Sequence, residues 1–366
     1  MIDLIDLKLR YKEEKKDLKV IIDNILKNAH FVLTEEVSEF EKSIAKYTNT
    51  KYCLGLNSGT DALMMSLMVS GIKKGDEVIT TPISFIATLG ALIHIGARPI
   101  FVDIDDDLNI NPDLIEKAIT KKTKAILPVH WGGKVCKMDQ IQSIARKFNL
   151  KIIEDSAQGL GSYYKKKHAG TFGDISCFSA HPLKNLSAFG DGGFIITNNK
   201  KYYEKIKLFR NHGLKERDNS TIFGLNSRLD SLNAKILTYR LKKLDKTLEK
   251  RRRNVKLYKK LLQSDKIKIA QPLKGKDNSY VMFILLCEKR DLLQDFLKSK
   301  GIQSLIYYGK PLHFHPASKK LKLNVQKLPV AEKICKEVLA LPVHQYLKEK
   351  QIKYICTQIN KFYENS

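Results

Sequence analysis

Short apolar, β-branched runs recur along the first half of the chain, at residues 52–57, 77–82, 99–104, 125–130, 151–156, 175–180 and 193–197. Between the first five lie segments 60–70, 84–95, 111–119 and 138–149, whose apolar residues fall at helical spacing. Strand, helix, strand repeated in this way predicts crossover connections and a mainly parallel sheet covered on both faces. The pattern then changes. Residues 228–262 carry Leu229, Leu232, Ile236, Leu241, Leu244, Leu248, Val255 and Leu261 at helical intervals. That predicts one long helix, or two joined ones, leading into a smaller unit. Within it, 280–286 reads as a strand, and 291–300 and 332–339 as helices. The expected fold is α/β: a three-layer α/β/α unit with a mainly parallel seven-stranded sheet over 1–244, and a smaller α+β domain over 245–366.

Composition narrows the function classes. The 366 residues are 43% apolar, ample for a core, and 65 Lys and Arg against 39 Asp and Glu give a formal charge of +26. The basic residues are spread along the chain, few aromatics interleave with them, and no zinc-finger, RNA-recognition or basic-zipper pattern occurs. The charge therefore reads as a lysine-rich solvated surface that helps attract anionic substrates, with no nucleic acid as partner. Six cysteines lie mostly in apolar runs and form no C-x-x-C pair, as reduced core thiols do. The start, Met1-Ile2-Asp3-Leu4-Ile5-Asp6-Leu7, has neither the basic residues nor the apolar run of a signal peptide, and no stretch is apolar and long enough for a membrane span. A cytoplasmic protein is the expectation.

Chemistry concentrates where strands end, because α/β sheets bind ligands at the carboxyl ends of their strands. Lys184 stands in a tight polar turn, Ser179-Ala180-His181-Pro182-Leu183-Lys184-Asn185-Leu186, between two apolar runs. A lysine screened from water at a strand end can lose its proton and act as nucleophile or base through a Schiff base; a surface lysine after a strand is the plain alternative. Asn57-Ser58-Gly59-Thr60-Asp61 ends one strand and opens a helix, which suits a phosphate at Gly59 and Thr60 or an ordinary helix cap. Glu154-Asp155-Ser156-Ala157-Gln158 ends another strand in acid. A buried carboxylate there needs a cation such as a protonated pyridine nitrogen, or else belongs to a buried ion pair. Ser179 offers a hydroxyl to a phosphate or to its own strand end. Phe85 offers a ring face to a flat ligand or to the core. No G-x-G-x-x-G opens a strand–helix unit, no G-x-S-x-G occurs, and the pair His313-Phe314-His315 lacks metal-ligand spacing, so no metal is expected.

Taken in order, Gly59-Thr60-Asp61-Ala62-Leu63, Gly75-Asp76-Glu77-Val78-Ile79, Thr81-Pro82, Phe101-Val102-Asp103-Ile104, Glu154-Asp155, Ser179, His181-Pro182-x-Lys184-Asn185-Leu186, Gly190-Asp191-Gly192-Gly193 and Gly224-x-Asn226-x-Arg228 resemble the DegT/StrS-type keto-sugar aminotransferases, of the fold-type-I pyridoxal-phosphate class. Leu4-Ile5-Asp6-Leu7, Pro311-Leu312-His313 and Leu341-Pro342-Val343-His344 extend the match to both ends. The resemblance implies that Lys184 forms the Schiff base with pyridoxal 5'-phosphate, that Asp155 pairs with the pyridine nitrogen, and that Gln158 lies near the phenolic oxygen. It further implies that Gly59, Thr60 and Ser179 hold the phosphate, Phe85 stacks on the ring, and Asn226 reaches across a homodimer to the partner's phosphate. His181, Arg228, Tyr307, Tyr308 and His313 are the implied substrate contacts. The implied reaction moves an amino group from L-glutamate to a nucleotide-linked keto-sugar for surface glycan or related synthesis. Three departures from the family pattern fall where acceptors are expected: Tyr307-Tyr308 for His-Tyr, Val281 after Tyr280 for His, and Trp131-Gly132-Gly133 for Leu-Tyr-Gly. They keep open a small phosphorylated ketone such as dihydroxyacetone phosphate as acceptor. The +26 charge keeps open a non-catalytic regulatory or basic binding protein.

Overall fold

A computed structural model describes residues 1–270, 276–321, 323 and 326–364. Nine strands arise in the first 200 residues: β1 (Tyr52–Leu56), β2 (Glu77–Thr80), β3 (Arg98–Phe101), β4 (Thr123–Leu127), β5 (Lys151–Asp155), the two-residue β6 (Tyr163–Tyr164) and β7 (Lys167–His168), β8 (Ile175–Ser179) and β9 (Gly193–Thr197). Seven of them form one sheet in the order β1-β9-β8-β5-β4-β2-β3. The pairs β2–β3, β2–β4, β4–β5 and β5–β8 are parallel. Only β9 runs against its neighbours, antiparallel to both β1 and β8. The cause is its connection: the segment from Ala180 to Gly192 holds no helix, so it returns as a turn rather than a crossover. That turn carries Lys184.

Strand alternation sorts side chains onto two faces. Leu54, Leu56 and Ile195 pack with Leu63, Leu67 and Ile206 on one side. Cys53, Phe194 and Ile196 pack with Phe40, Ile44 and Leu237 on the other. This is the expected three-layer unit. Helices α1 (Leu7–Asn28), α2 (Glu35–Thr48), α3 (Gly59–Val69) and α4 (Ile86–His94) come early in the chain, and the predicted helix at 111–119 is broken into a 3-10 turn Pro112–Leu114 and one turn Ile115–Ala118. The long apolar repeat after 228 is two helices, Ser231–Leu241 and Leu244–Leu261. Beyond them a three-stranded antiparallel sheet (Ile267–Ile269, Phe283–Cys287, Val338–Leu341) packs with helices Arg290–Ser299 and Glu349–Glu364 around Tyr258, Leu293 and Ile355. The N-terminus joins this unit, since Ile2 bridges Ile302. All six cysteines are buried. Among the described residues no helix is long and apolar enough to cross a membrane.

Candidate active site

The parallel topology brings the ends of β1, β2, β5 and β8 to one edge of the sheet, and a cavity of about 410 Å³ opens there. Its wall contains Gly59, Thr60, Phe85, Asp155, Gln158, Ser179, His181, Lys184, Tyr307 and Tyr308. Residues scattered over 250 positions of sequence thus share one space.

The acid end is built by β5. Successive residues on a strand point to opposite faces, so Glu154 and Asp155 part company. Glu154 is fully buried away from the cavity. It accepts hydrogen bonds from the amides of Gly170 (3.0 Å), Phe172 (2.8 Å) and Gly173 (2.6 Å) and from the Nε2 of His130 (2.8 Å). The His130 Nδ1 accepts from the Cys136 amide, which leaves Nε2 as the proton carrier. Asp155 lines the cavity at 3% exposure. Its Oδ2 accepts from the Thr88 hydroxyl at 2.8 Å and its Oδ1 from the Ala157 amide at 3.1 Å. Burial raises the Asp155 pKa, and the hydrogen bonds from Thr88 and Ala157 and the charge of Lys184 only partly oppose it. A carboxylate so placed is stabilised by a further cation in the cavity.

A cradle formed by the start of α3 and the end of β8 lines the cavity as well. Ser58 caps α3 by accepting from the Asp61 amide at 3.1 Å, leaving the amides of the first turn directed outward at the positive end of the helix. Gly59 allows this turn to press on β8: a Cβ there would stand 2.8 Å from Ser179 Cβ. Gly193 does the same from β9, where a Cβ would meet the Ser58 carbonyl carbon at 2.3 Å. The Ser179 hydroxyl accepts from the His181 amide, and the Lys184 amide donates to the His181 carbonyl at 2.8 Å, closing the turn that presents the lysine.

Between the two ends stand the flat groups. Phe85, at the start of α4, is 56% exposed and tilts toward Tyr308 with ring centres 6.2 Å apart. Gln158 is fixed on both sides of its amide. Its Oε1 accepts from the Gly132 amide at 2.7 Å, and its Nε2 donates to the hydroxyls of Tyr307 (3.2 Å) and Tyr308 (3.4 Å). The Trp131-Gly132-Gly133 segment therefore serves to orient Gln158. The two tyrosine rings stack at 4.1 Å, and burial pushes the Tyr308 hydroxyl pKa up, so that it stays protonated.

Three expected residues lie outside this cavity. The His313 ring packs against Phe101 and Phe314, and its Nε2 faces Glu332 at 3.7 Å. Arg228 donates to Asn211 at 3.2 Å. Asn226 is exposed, with its carbonyl accepting from Asn57 at 3.5 Å. Conversely, the only sequence signal of Ser84 and Thr88 is that they stand one helical turn apart just after a strand end, yet their hydroxyls are 2.7 Å apart behind Asp155. Met282, Leu305 and Ile306, from the C-terminal unit, also line the cavity.

Comparison with known proteins identifies the family. The family model described as the DegT/DnrJ/EryC1/StrS aminotransferase family matches residues 12–360. A "Pleiotropic regulatory protein" of Geobacillus stearothermophilus is 39% identical, over 100% of this chain and 99% of its own. A UDP-2-acetamido-2-deoxy-3-oxo-D-glucuronate aminotransferase of Pseudomonas aeruginosa is 35% identical over 98% and 99%. The crystal structure of S. venezuelae DesV in complex with a ketimine intermediate superposes with a TM-score of 0.95 at 33% identity, covering 99% of this chain and 98% of that one. The chain therefore belongs to the DegT/DnrJ/EryC1/StrS aminotransferase family, whose members depend on pyridoxal phosphate.

Proposed function

We propose that this aminotransferase takes its amino group from L-glutamate and gives it to the ketone of a nucleotide-linked keto-sugar, through Lys184 facing Asp155 across the cavity. The observation that carries the reading is the shared cavity of Lys184, Asp155 and the α3 cradle. The acceptor class is supported by relatives named for UDP-, dTDP- and GDP-linked sugars, each at least 34% identical over 90% or more of this chain. No feature of the cavity favours a small phosphorylated ketone.

The chain's donor set fits the cofactor. Asp155 is a buried carboxylate whose raised pKa calls for a cation, and the ring nitrogen provides one. Gly59, Thr60 and Ser179 suit the phosphate, Phe85 the ring face, and Gln158 the phenolic oxygen. Pyridoxal phosphate, when bound, supplies an aldehyde for amines to condense with and a ring that delocalises electrons from the carbon losing its proton. The protein's own work is positional and electrostatic. Asp155, ionised, would hold a proton on the ring nitrogen. Lys184 would hold the cofactor through its Nζ, and that Nζ, when free, would be the base that takes the proton from the substrate Cα. Thr88 and the Ala157 amide keep Asp155 aimed. The stacked tyrosines and Gln158 close one wall, with hydroxyls available to an acceptor's own hydroxyls.

The active unit in this reading is a cytoplasmic homodimer in which Asn226, and Arg228 near it, serve the partner's site; their position on or near the surface, off the cavity, is what such a role needs. The division of the chain at 244 and 245, in the first turn of the helix Leu244–Leu261, belongs to the same proposal. The test is a panel of ketones with glutamate. Turnover of 3- or 4-keto nucleotide sugars is expected; turnover of small phosphorylated ketones alone would overturn the acceptor assignment.

A further inference from the structure

A second cleft, of about 270 Å³, lies behind the lysine turn, between α1, the junction of the helices Ser231–Leu241 and Leu244–Leu261, and the segment Gln345–Tyr346. Five cationic residues line it, Arg10, Arg240, Lys243, Lys246 and Lys250, against two acidic ones, Glu13 and Glu14. Glu14 is committed to Arg240, which it meets at 2.6 and 3.0 Å.

Two buried guanidiniums set this cleft apart from a lysine-rich surface. Arg10 is 6% exposed and donates to the Ser187 hydroxyl. Arg251 is 1% exposed and stands behind the wall. It donates to Asn185 Oδ1 (2.5 Å), the Tyr280 carbonyl (3.1 Å) and Gln345 Oε1 (3.3 Å), all neutral acceptors, and its Nε has no partner. No carboxylate pairs with it among the described residues. Burial and the neighbouring Arg10 lower the Arg251 pKa to about 9, and burial and Arg240 lower that of Arg10. The cations here thus push on one another, and buried charge without a counter-charge is costly. A multiply charged oxyanion in the cleft relieves that repulsion and matches the fork of a guanidinium.

We infer that this cleft is a binding site for a phosphate-bearing ligand, separate from the cofactor's own cradle. It shares its wall with the catalytic turn: Asn185 follows Lys184 directly, and Ser187 accepts from both Arg10 and Arg240. Free inorganic phosphate and the phosphates of a nucleotide present the same chemistry, and titration separates them.

The experiment uses the cofactor-saturated enzyme, so that the cradle at α3 is filled. Inorganic phosphate and adenosine triphosphate are titrated calorimetrically at constant ionic strength, against the parent and a Lys246→Glu/Lys250→Glu double variant. Both lysines are exposed, so the fold is expected to hold, with the bound cofactor's visible absorbance as the check. Saturable binding to the parent, weakened roughly tenfold or more in the variant, is expected. Tighter binding of the triphosphate than of phosphate supports the site with a nucleotide as its ligand; equal binding supports it with the free anion. Absence of saturable binding, equal affinity in the two proteins, or complete displacement by chloride at matched ionic strength would each overturn the inference.

Discussion

Thr88 offers the most informative single substitution. It is buried at 1% exposure, and its hydroxyl donates to Asp155 Oδ2 at 2.8 Å. Burial already raises the Asp155 pKa, and this hydrogen bond is the largest influence opposing it. Thr88→Val keeps the shape and deletes the donor. A hydrogen bond to a charged group contributes about 1.5–3 kcal/mol. At 1.36 kcal/mol per pKa unit, its loss raises Asp155 by roughly one to two units. The direction follows from which form the hydroxyl favours: it stabilises the carboxylate, so removing it favours the acid. In the proposed mechanism Asp155 must be ionised to hold a proton on the ring nitrogen. The acid limb of the kcat/KM profile for glutamate is therefore expected to move to higher pH by that amount, while activity on the alkaline side changes less. Thr88→Ser, which restores the hydroxyl, returns the profile toward the parent. A purely structural role for Thr88 would lower activity evenly across pH. Superimposable profiles for the parent and the valine variant, both saturated with cofactor, would refute the reasoning.

Other consequences are equally open to measurement. Gly59→Ala places a Cβ 2.8 Å from Ser179 Cβ, so the cradle must widen; cofactor affinity falls by roughly ten- to a hundredfold, for a strain of about 1–3 kcal/mol, and an unchanged dissociation constant would contradict the placement. Lys184→Ala and Asn226→Ala subunits, each inactive alone, regain activity when unfolded together and reassembled, because a hybrid dimer holds one intact site; roughly a quarter of sites recover, and recovery of none would reject the shared site. His168 and His344 are both buried with pKa lowered to about 4, while the unfolded imidazole titrates near 6.5. The unfolded chain takes up these protons first, so their contribution is complete above 6.5 and drains as pH falls toward 4, by about 1.4 kcal/mol per unit for each histidine. Denaturant titrations across that window should show the slope, and His168→Asn should reduce it.

The strand pattern made most of the large unit legible, because strands buried on both faces are apolar throughout and strand ends are where polar residues collect. What stayed hidden has specific causes. Nothing in Glu154-Asp155 says which acid faces the cavity; the alternation of β5 decides it, and the amides of Gly170, Phe172 and Gly173, distant in sequence, claim Glu154. The helix α1 is not visible as an amphipathic stripe, since its buried positions include Arg10 and Glu14 as well as Leu18 and Ile25. The reversal of β9 follows from the helix-free segment after β8, which apolar runs alone do not reveal. Trp131-Gly132-Gly133 looks from sequence like a change at the acceptor side, yet its Gly132 amide holds Gln158. His313 sits in a matching motif but turns toward Phe101 and Glu332, a packing choice made by distant elements.

Borohydride reduction of the cofactor-loaded enzyme, followed by peptide mass mapping, identifies the lysine that holds the cofactor, because hydride converts a C=N link between lysine and cofactor into a stable amine. The added mass is expected on the peptide containing Lys184, and is expected to disappear when the amino donor is added before reduction. Attachment to a different lysine, or no attachment in a protein that binds the cofactor, would contradict it.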